Sequence, residues 1–501
     1  MRCRLSVHTL PVLAAQCVLA AAFSPAQEPR STPHRIAVVG AGAGGSSAAF
    51  WLSKARERNA LDVIVDVYER ADYVGGRATI VYPYDNRSLA PIELGASLYA
   101  PGNLDMVRAV AEFGLSNTSF GIGNAEVDGF WDGKTIGGAA GDGQFIARYG
   151  LETIGNAQVA PQTVVGAVGS LYAPTRPVWN TTSALVNALN WAAMLSSTGA
   201  EFYTTQNVSR LFIDELIEAL SRANYCQDVN KMHAIGVTIG LATTGAVSVA
   251  GGNRQVFENF VKASGATLKL NTEAVQVYSI LPAGGRWILK SSAGVRTYDA
   301  VILAAPFHLS NIALPPSFSS TIPPQPYKRV HVTLLTTTSP SFNTAYLGAQ
   351  NVITPPTSVF ITLNATRRPG GPVFNSLQRL AVLNGTGKGG KDESLVKIFS
   401  DEVLSDAFLD ELVGERGWTF KHTWDAFPIL TPATSFPPVH VAKGLYYVNA
   451  LEPVVSTMET ETIAARNVVD LLLSEQFASG ICPPGQELAS NATGFVYGWD
   501  C

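Results

Sequence analysis

Two spacings of apolar residues organise this chain. Runs rich in β-branched residues predict strands over 35–39 and 63–69, and again over 298–306 and 444–452. Spacings of three and four predict helices over 46–54, 103–113, 183–194, 211–223 and 253–264, with a last helix opening at 456. Between 115 and 177 glycine, aromatic and polar residues interleave, as in Phe130-Trp131-Asp132-Gly133 and the glycine-rich run 137–143, which predicts hairpins and loops. Strand-like runs return over 268–277, 287–290, 331–336 and 359–362, with 287–290 and 298–306 expected to complete the sheet that 35–39 begins.

The first strand runs straight into Gly40-Ala41-Gly42-Ala43-Gly44-Gly45, so Gly40, Gly42 and Gly45 satisfy GxGxxG between a strand and a helix. In that setting Gly40 takes the tight turn, Gly42 lets the backbone approach a pyrophosphate, and Gly45 lets the helix pack close to its strand. The helix N-terminus offers unpaired N–H groups and a positive dipole end to the phosphates. Glu69, at the end of the second strand, stands where it can accept from a ribose diol, which favours a 2′-hydroxyl over a 2′-phosphate. Gly75-Gly76-Arg77 follows as a second glycine turn carrying a cation toward the same diphosphate. With this E-x5-GGR element the stretch resembles the glutathione-reductase-type FAD proteins, and the cofactor implied is FAD.

Further motifs narrow the resemblance. Glu93-Leu94-Gly95-Ala96-Ser97 is similar to the E-L-G-[AG]-S stretch that runs beside the isoalloxazine in flavin oxidases. Arg222-Ala223-Asn224-Tyr225-Cys226-Gln227, then Gly251-Gly252-Asn253, then Tyr446-Tyr447-Val448-Asn449-Ala450-Leu451-Glu452 and Ser456-Thr457-Met458-Glu459-Thr460 resemble the prenylcysteine oxidase (prenylcysteine lyase) family over most of residues 34–475. The resemblance implies Asn224, Tyr225 and Gln227 as catalytic candidates. It adds Gly76, Arg77, Val275, Glu452, Ser456 and Met458 to Gly40, Gly42, Gly45 and Glu69 as cofactor-binding candidates, with the Val275 backbone expected to pair with the adenine. Cys226 stands where the family has glycine, which bears on the local turn, since cysteine takes positive φ poorly. His233 alone reads as a hydrogen-bonded structural histidine.

The fold class implied is α/β: a glutathione-reductase-type, Rossmann-like FAD-binding domain with a discontinuous α+β substrate domain. FAD-binding segments are expected at 34–114, 245–310 and 418–475, substrate-domain segments at 115–244 and 311–417, and a C-terminal tail at 476–501. The activity implied is oxidative cleavage of a prenylated thioether with O2 as the electron sink. A flavin amine oxidase of the same fold, and a secreted flavin- or lipid-binding protein without turnover, are the alternatives.

Composition fixes the address more than the chemistry. Charged residues make up 15% of the chain, against about 25% in typical domains, and the net charge is −4 with no basic stripe, so no nucleic-acid partner is expected. Arg2 and Arg4, the apolar stretch 10–23 and the small residues Ser24-Pro25-Ala26 read as a signal peptide over 1–26, and no later run predicts a transmembrane segment. Seven N-x-[ST] sequons, at Asn86, Asn117, Asn180, Asn207, Asn364, Asn384 and Asn491, fit passage through the secretory pathway to a lysosome, vacuole or the exterior. Cleavage leaves Cys226, Cys482 and Cys501, and an oxidising compartment allows one disulfide, expected between Cys482 and Cys501. GxSxG, HExxH and GxxxxGK[ST] are all absent, and no metal is expected.

Overall fold

A computed structural model describes residues 33–119, 127–137, 142–281, 284–349, 354–483 and 494–501. The expected signal peptide and Asn491 lie outside these residues. The unit His34–Cys501 carries everything that follows. Along it run β1 (His34–Val39), α1 (Ala43–Asn59), β2 (Val63–Tyr68), β3 (Asp128–Trp131), β4 (Ile136–Gly137), α2 (Leu151–Gly169), α3 (Glu218–Tyr225) and α4 (Ala234–Leu241). Then come β5 (Thr267–Lys269), β6 (Ala300–Leu303), β7 (Tyr327–Thr337), β8 (Ser358–Ile361), β9 (Ser376–Leu383) and β10 (Glu393–Ser400). The chain ends with β11 (Arg416–Pro428), β12 (His440–Ala442), β13 (Leu445–Tyr447) and α5 (Met458–Phe477).

The six-stranded sheet has the order β12-β13-β6-β1-β2-β5 and is parallel except at the β12–β13 edge. A parallel strand covered on both faces needs no polar alternation, and Ile36 to Val39 and Ala300 to Leu303 are accordingly all buried. Helix α1 covers this sheet and packs on α5 and on the helix Arg254–Ser264. Its approach depends on Gly45, where a Cβ would stand 1.8 Å from the Gly40 carbonyl oxygen.

The seven-stranded sheet has the order β11-β7-β10-β9-β8-β3-β4. Its register places Val330, Val332 and Leu334 of β7 beside Phe399 and Lys397 of β10 on one side and Trp424, His422 and Phe420 of β11 on the other. These side chains share one face. That face meets the segment 93–97: Lys397 Nζ donates to the Glu93 carbonyl oxygen at 2.7 Å and to Ser97 Oγ at 3.1 Å.

Several expectations need correction. The stretch 115–177 contains helices Asp142–Tyr149 and α2 as well as short strands. Thr153, Ala157, Ala160, Val164 and Val168 form the buried stripe of α2, and their small size, with Gly155, Pro161 and Gly166 between them, hid its period. The helix expected over 183–194 is two, Thr182–Ala188 and Ala192–Ser196, broken where Asn190 takes φ 57°. Trp287–Ser291 does not complete the parallel sheet but pairs with Ala274–Ser279 and Gly294–Tyr298 in a separate three-stranded sheet. Finally, residues 418–428, expected in the third FAD segment, belong to β11 and pair with β7 in the seven-stranded sheet.

Candidate active site

The glycine motif folds at the C-terminal end of β1. Gly40 has φ 102°, its N–H donates to the Tyr68 carbonyl at 2.8 Å, and Gly42 is the N-cap of α1. No side chain caps this helix and its first turn carries no acid, so the protein leaves the positive end of α1 to a ligand. Gly42 bridges to Gly75 of the second glycine turn, and Gly76 follows at φ 57°. A Cβ on Gly42 would meet no atom closer than 3.8 Å, which leaves the cradle open beside both turns. Glu69 Oε2 accepts from the Ala41 N–H and Oε1 from the Ala71 N–H, each at 2.8 Å, so this acid holds the motif's own backbone at the ribose end.

Arg77 leaves the second turn toward the C-terminal part of the chain. Its Nη2 pairs with Glu452 Oε1 and its Nη1 donates to the Ala426 carbonyl of β11 at 3.0 Å. Glu452 is fully buried; it also accepts from the Tyr327 hydroxyl and, at 3.0 Å, from Ser456 Oγ. Burial works against the Arg77 charge, but the Glu452 carboxylate more than offsets it and the net shift is upward. Burial, reinforced by Glu452, pushes the Tyr327 hydroxyl above its ordinary range, so it stays a donor. Met458 begins α5, with Thr457 as the N-cap: its Oγ accepts from the Thr460 N–H at 3.1 Å in a capping box.

One turn into α5 stands an acid that the motifs do not mark as a cofactor-binding candidate. Glu461 is buried, Oε2 accepts from Asn449 Nδ2 at 3.0 Å, and a Cβ on Gly44 would lie 2.9 Å from the same oxygen. Burial and then the nearby Glu452 push its carboxyl well above the usual range. A neutral acid at this distance from α1 does not oppose a diphosphate, whereas an ionised one would. The donors of α1, the second turn with Arg77, and the acid at Glu69 together fit an adenine dinucleotide.

Val275 lies at a bulge in the strand Ala274–Ser279, and its carbonyl accepts from the Ala313 N–H at 3.0 Å. Of the catalytic candidates, Tyr225 reaches the site: it is buried, packs edge-on against Phe427 at 5.5 Å, and its hydroxyl lies 3.4 Å from the Ser456 carbonyl. Gln227 spends both ends of its amide on the backbone at and just past the end of β11, donating to Pro428 at 3.0 Å and accepting from Leu430 at 2.9 Å. Asn224 Nδ2 donates to the Leu220 and Gly240 carbonyls at 2.9 and 3.1 Å. These two amides tie α3 to α4 and to β11. His233 caps α4, with Nδ1 accepting from Gly236 and Nε2 facing the Pro453 carbonyl, both at 3.1 Å, and burial pushes it down to about 4. Cys226 adopts the left-handed turn itself, at φ 52°, as the C-cap of α3.

Lys397 was also missed, although a cation inside Leu395-Val396-Lys397-Ile398-Phe399 is a signal of its own. Burial pulls its ammonium down to about 8, and burial pushes the Glu93 carboxyl beside it up to about 7. Both groups are bound into the segment 93–97.

Comparison with known proteins places this arrangement. The family model described as prenylcysteine lyase matches residues 141–480, and that of the NAD(P)-binding Rossmann-like domain matches 38–113. Farnesylcysteine lyase of Arabidopsis thaliana is 28% identical over 472 residues, covering 88% of this chain and 89% of the relative. Prenylcysteine oxidase 1 of Homo sapiens is 27% identical over 473 residues with the same coverage. Among solved structures, a putative protoporphyrinogen oxidase from Exiguobacterium has a TM-score of 0.59 at 14% identity, covering 89% of this chain and 99% of its own. A redesigned putrescine oxidase has a TM-score of 0.59 at 16% identity, covering 88% and 99%. Those two likenesses carry the fold. The family match extends over more than half of the sequence, and with the dinucleotide cradle in place the chain belongs to the prenylcysteine lyase family, as an FAD-dependent oxidoreductase.

Proposed function

We propose that the protein cleaves S-prenyl-L-cysteine, with a farnesyl or geranylgeranyl chain, to cysteine, a prenyl aldehyde and hydrogen peroxide. The observation that carries this reading is the apolar sheet face of Val330, Val332, Leu334 and Phe399 set against the segment 93–97, which resembles the stretch beside the isoalloxazine of flavin oxidases. When bound, FAD supplies the acceptor for the two electrons that leave the carbon between sulfur and alkene, and O2 takes them on as peroxide. The positive charge left on that carbon is shared by sulfur and alkene, so no strong base is needed. Water adds there, and the hemithioacetal collapses to the thiol and the aldehyde. The residues fit this modest demand: Gln227, Asn224 and His233 are tied to the backbone, and the chain's share is to hold the cofactor and align the substrate. The Arg77–Glu452–Tyr327 group anchors the second glycine turn to the sheet that covers the substrate.

Anaerobic mixing of the flavin-loaded protein with farnesylcysteine is expected to bleach the flavin, and admission of air to yield one peroxide per aldehyde. A flavin that stays oxidised with farnesylcysteine yet bleaches with amines would replace this reading by that of an amine oxidase. We also infer passage through the secretory pathway, to a lysosome, vacuole or the exterior. All six described sequon asparagines, Asn86, Asn117, Asn180, Asn207, Asn364 and Asn384, are exposed, and Cys482 and Cys501 form a disulfide. Endoglycosidase treatment of the protein from its own cells tests this by a mobility shift.

A further inference from the structure

Four aromatic side chains stand in a row along β11. Trp418 and Phe420 stack with centroids 6.0 Å apart and planes 15° apart, Phe420 and His422 follow at 6.4 Å and 10°, and His422 meets Trp424 edge-on at 5.1 Å. β11 is an edge strand of its sheet, and each of the four is only half-buried. The row has two defined ends. At the outer one Tyr84 lies 6.2 Å from the Trp418 ring, its hydroxyl accepts from the Trp418 N–H at 3.2 Å and donates to Glu393 at 2.6 Å. This brace holds Tyr84 and Asp85 at φ 55° and 54°, a conformation such residues seldom adopt in succession. At the inner end Trp424 is pressed onto Gly95, where a Cβ would stand 2.6 Å from the indole and 3.5 Å from the Arg77 carbonyl oxygen. The row therefore runs from the surface to the second glycine turn of the cofactor site. Midway along it a cavity of about 330 Å³ opens between Phe420 and the side chains of Ile80, Val81 and Tyr82, with the exposed Asp85 and Arg87 at its rim.

We propose that this row is the subsite for the isoprenoid chain of the substrate, with the sulfur end at Trp424 and Gly95 and the tail reaching the cavity at Phe420. The assignment rests on the function proposed above. From Trp424 to Phe420 the row spans roughly 13 Å, and on to Trp418 roughly 20 Å, lengths on the scale of an extended polyisoprenyl chain. Aromatic faces offer a trisubstituted alkene dispersion contact without any polar demand, and each further isoprene unit laid on the row removes more apolar surface from water. Tyr84 closes the outer end and so limits the chain length that fits.

Binding of S-dodecyl-L-cysteine, whose saturated chain lacks the alkene that makes the carbon oxidisable, tests the subsite through the change in flavin absorbance. The flavin-loaded wild type is expected to bind it, and Phe420→Glu to weaken binding by roughly tenfold or more. Val81→Trp, which fills the cavity from the opposite wall, is expected to act in the same direction with an undisturbed flavin spectrum. In turnover, the ratio of kcat/KM for farnesylcysteine over dimethylallylcysteine should collapse in both variants. Retention of that ratio and of dodecylcysteine affinity in both variants, or no binding of dodecylcysteine to the wild type, overturns the subsite. Binding that both variants weaken, in a wild type that oxidises no prenyl thioether, would leave the subsite standing and remove the proposed reaction instead.

Discussion

The guanidinium of Arg77 is held by the fully buried carboxylate of Glu452, 375 residues further along the chain. The pair joins the second glycine turn to the 3₁₀ turn that precedes α5, and Tyr327 and Ser456 also donate to the carboxylate. Removing one partner of a buried pair leaves the other charge uncompensated, at a cost of about 3–5 kcal/mol. Glu452→Gln is therefore expected to lower the thermal midpoint and the flavin-to-protein absorbance ratio together. The double variant Arg77→Met/Glu452→Leu, which leaves no orphaned charge, should be more stable than Glu452→Gln alone. A double variant as unstable as the sum of the two single changes would show that the pair does not act as a unit.

Lys397 makes the opposite case, a residue whose burial weakens the fold while it serves the site. The residue is only 3% exposed, and both oxygen partners of its ammonium are uncharged. Burial lowers its pKa to about 8. Between that value and the unfolded value near 10.4 the unfolded chain holds a proton that the folded chain releases, so stability rises with pH across the window. Below pH 8 the full penalty, about 3 kcal/mol, applies. Lys397→Met should thus match or exceed the wild type in thermal midpoint at pH 7 and lose that advantage by pH 10. The same change frees the segment 93–97 from the seven-stranded sheet, and faster flavin release is expected. A variant clearly less stable than the wild type at pH 7 would contradict this account.

How far the sequence could carry depends on how local each constraint is. The close approach of backbone to phosphate dictates glycine at fixed spacing, which is why Gly40, Gly42 and Gly45 could be read directly, and the Thr457 cap lies within three residues of the N–H it serves. The pairing of β11 with β7 joins residues about ninety apart, so nothing near Trp418 announced which sheet it would enter. Helix α2 hides its period in alanine, threonine and glycine. For Asn224 and Gln227 the motif marked the place, but the Gly240 and Pro428 carbonyls that accept from them belong to other elements and are visible only in the fold. Lys397 could be noticed as a charge in an apolar run, but its partners lie 304 and 300 residues earlier.

His233 sets an acid limit. With Nδ1 accepting from Gly236 and the Nε2 proton directed at the Pro453 carbonyl, the ring is held neutral, and burial depresses it to about 4. From the unfolded value near 6.5 down to about 4, the unfolded chain takes up a proton that the folded chain refuses. Stability present above the window is lost as the pH falls through it, by about 3 kcal/mol in all. Glu93 and Glu218, both raised to about 7 by burial, act in the opposite sense over part of the same range, so the histidine must be isolated by comparison. His233→Asn keeps an N-cap acceptor. Urea unfolding at pH 7.5, 5.5 and 4.5 should show the wild type losing ground to this variant at each step down; a constant difference would mean that His233 does not set the limit.

The disulfide between Cys482 and Cys501 fastens the end of the chain onto α1. Trp499 packs on Phe50 and Trp51 with centroids at 5.2 and 5.3 Å, its indole N–H donates to Asp105 at 2.9 Å, and the Tyr497 N–H donates to the Tyr172 carbonyl at 2.8 Å. Cross-linking residues 19 apart stabilises by about 3 kcal/mol through the unfolded state, and Cys482→Ser is expected to lose that amount while α1 and the glycine motif keep their geometry. Cys226 contrasts with this pair: its thiol is buried and burial pushes it up to about 12, so it is neither exposed nor ionised near neutral pH. Alkylation with iodoacetamide followed by peptide mapping should leave Cys226, Cys482 and Cys501 unlabelled in the native protein. Of these three, unfolding without reductant should label Cys226 alone, and unfolding with reductant should label all of them. Rapid labelling of Cys226 in the native state would mean that the turn after α3 opens, and with it the contact of Tyr225 with Phe427 on β11.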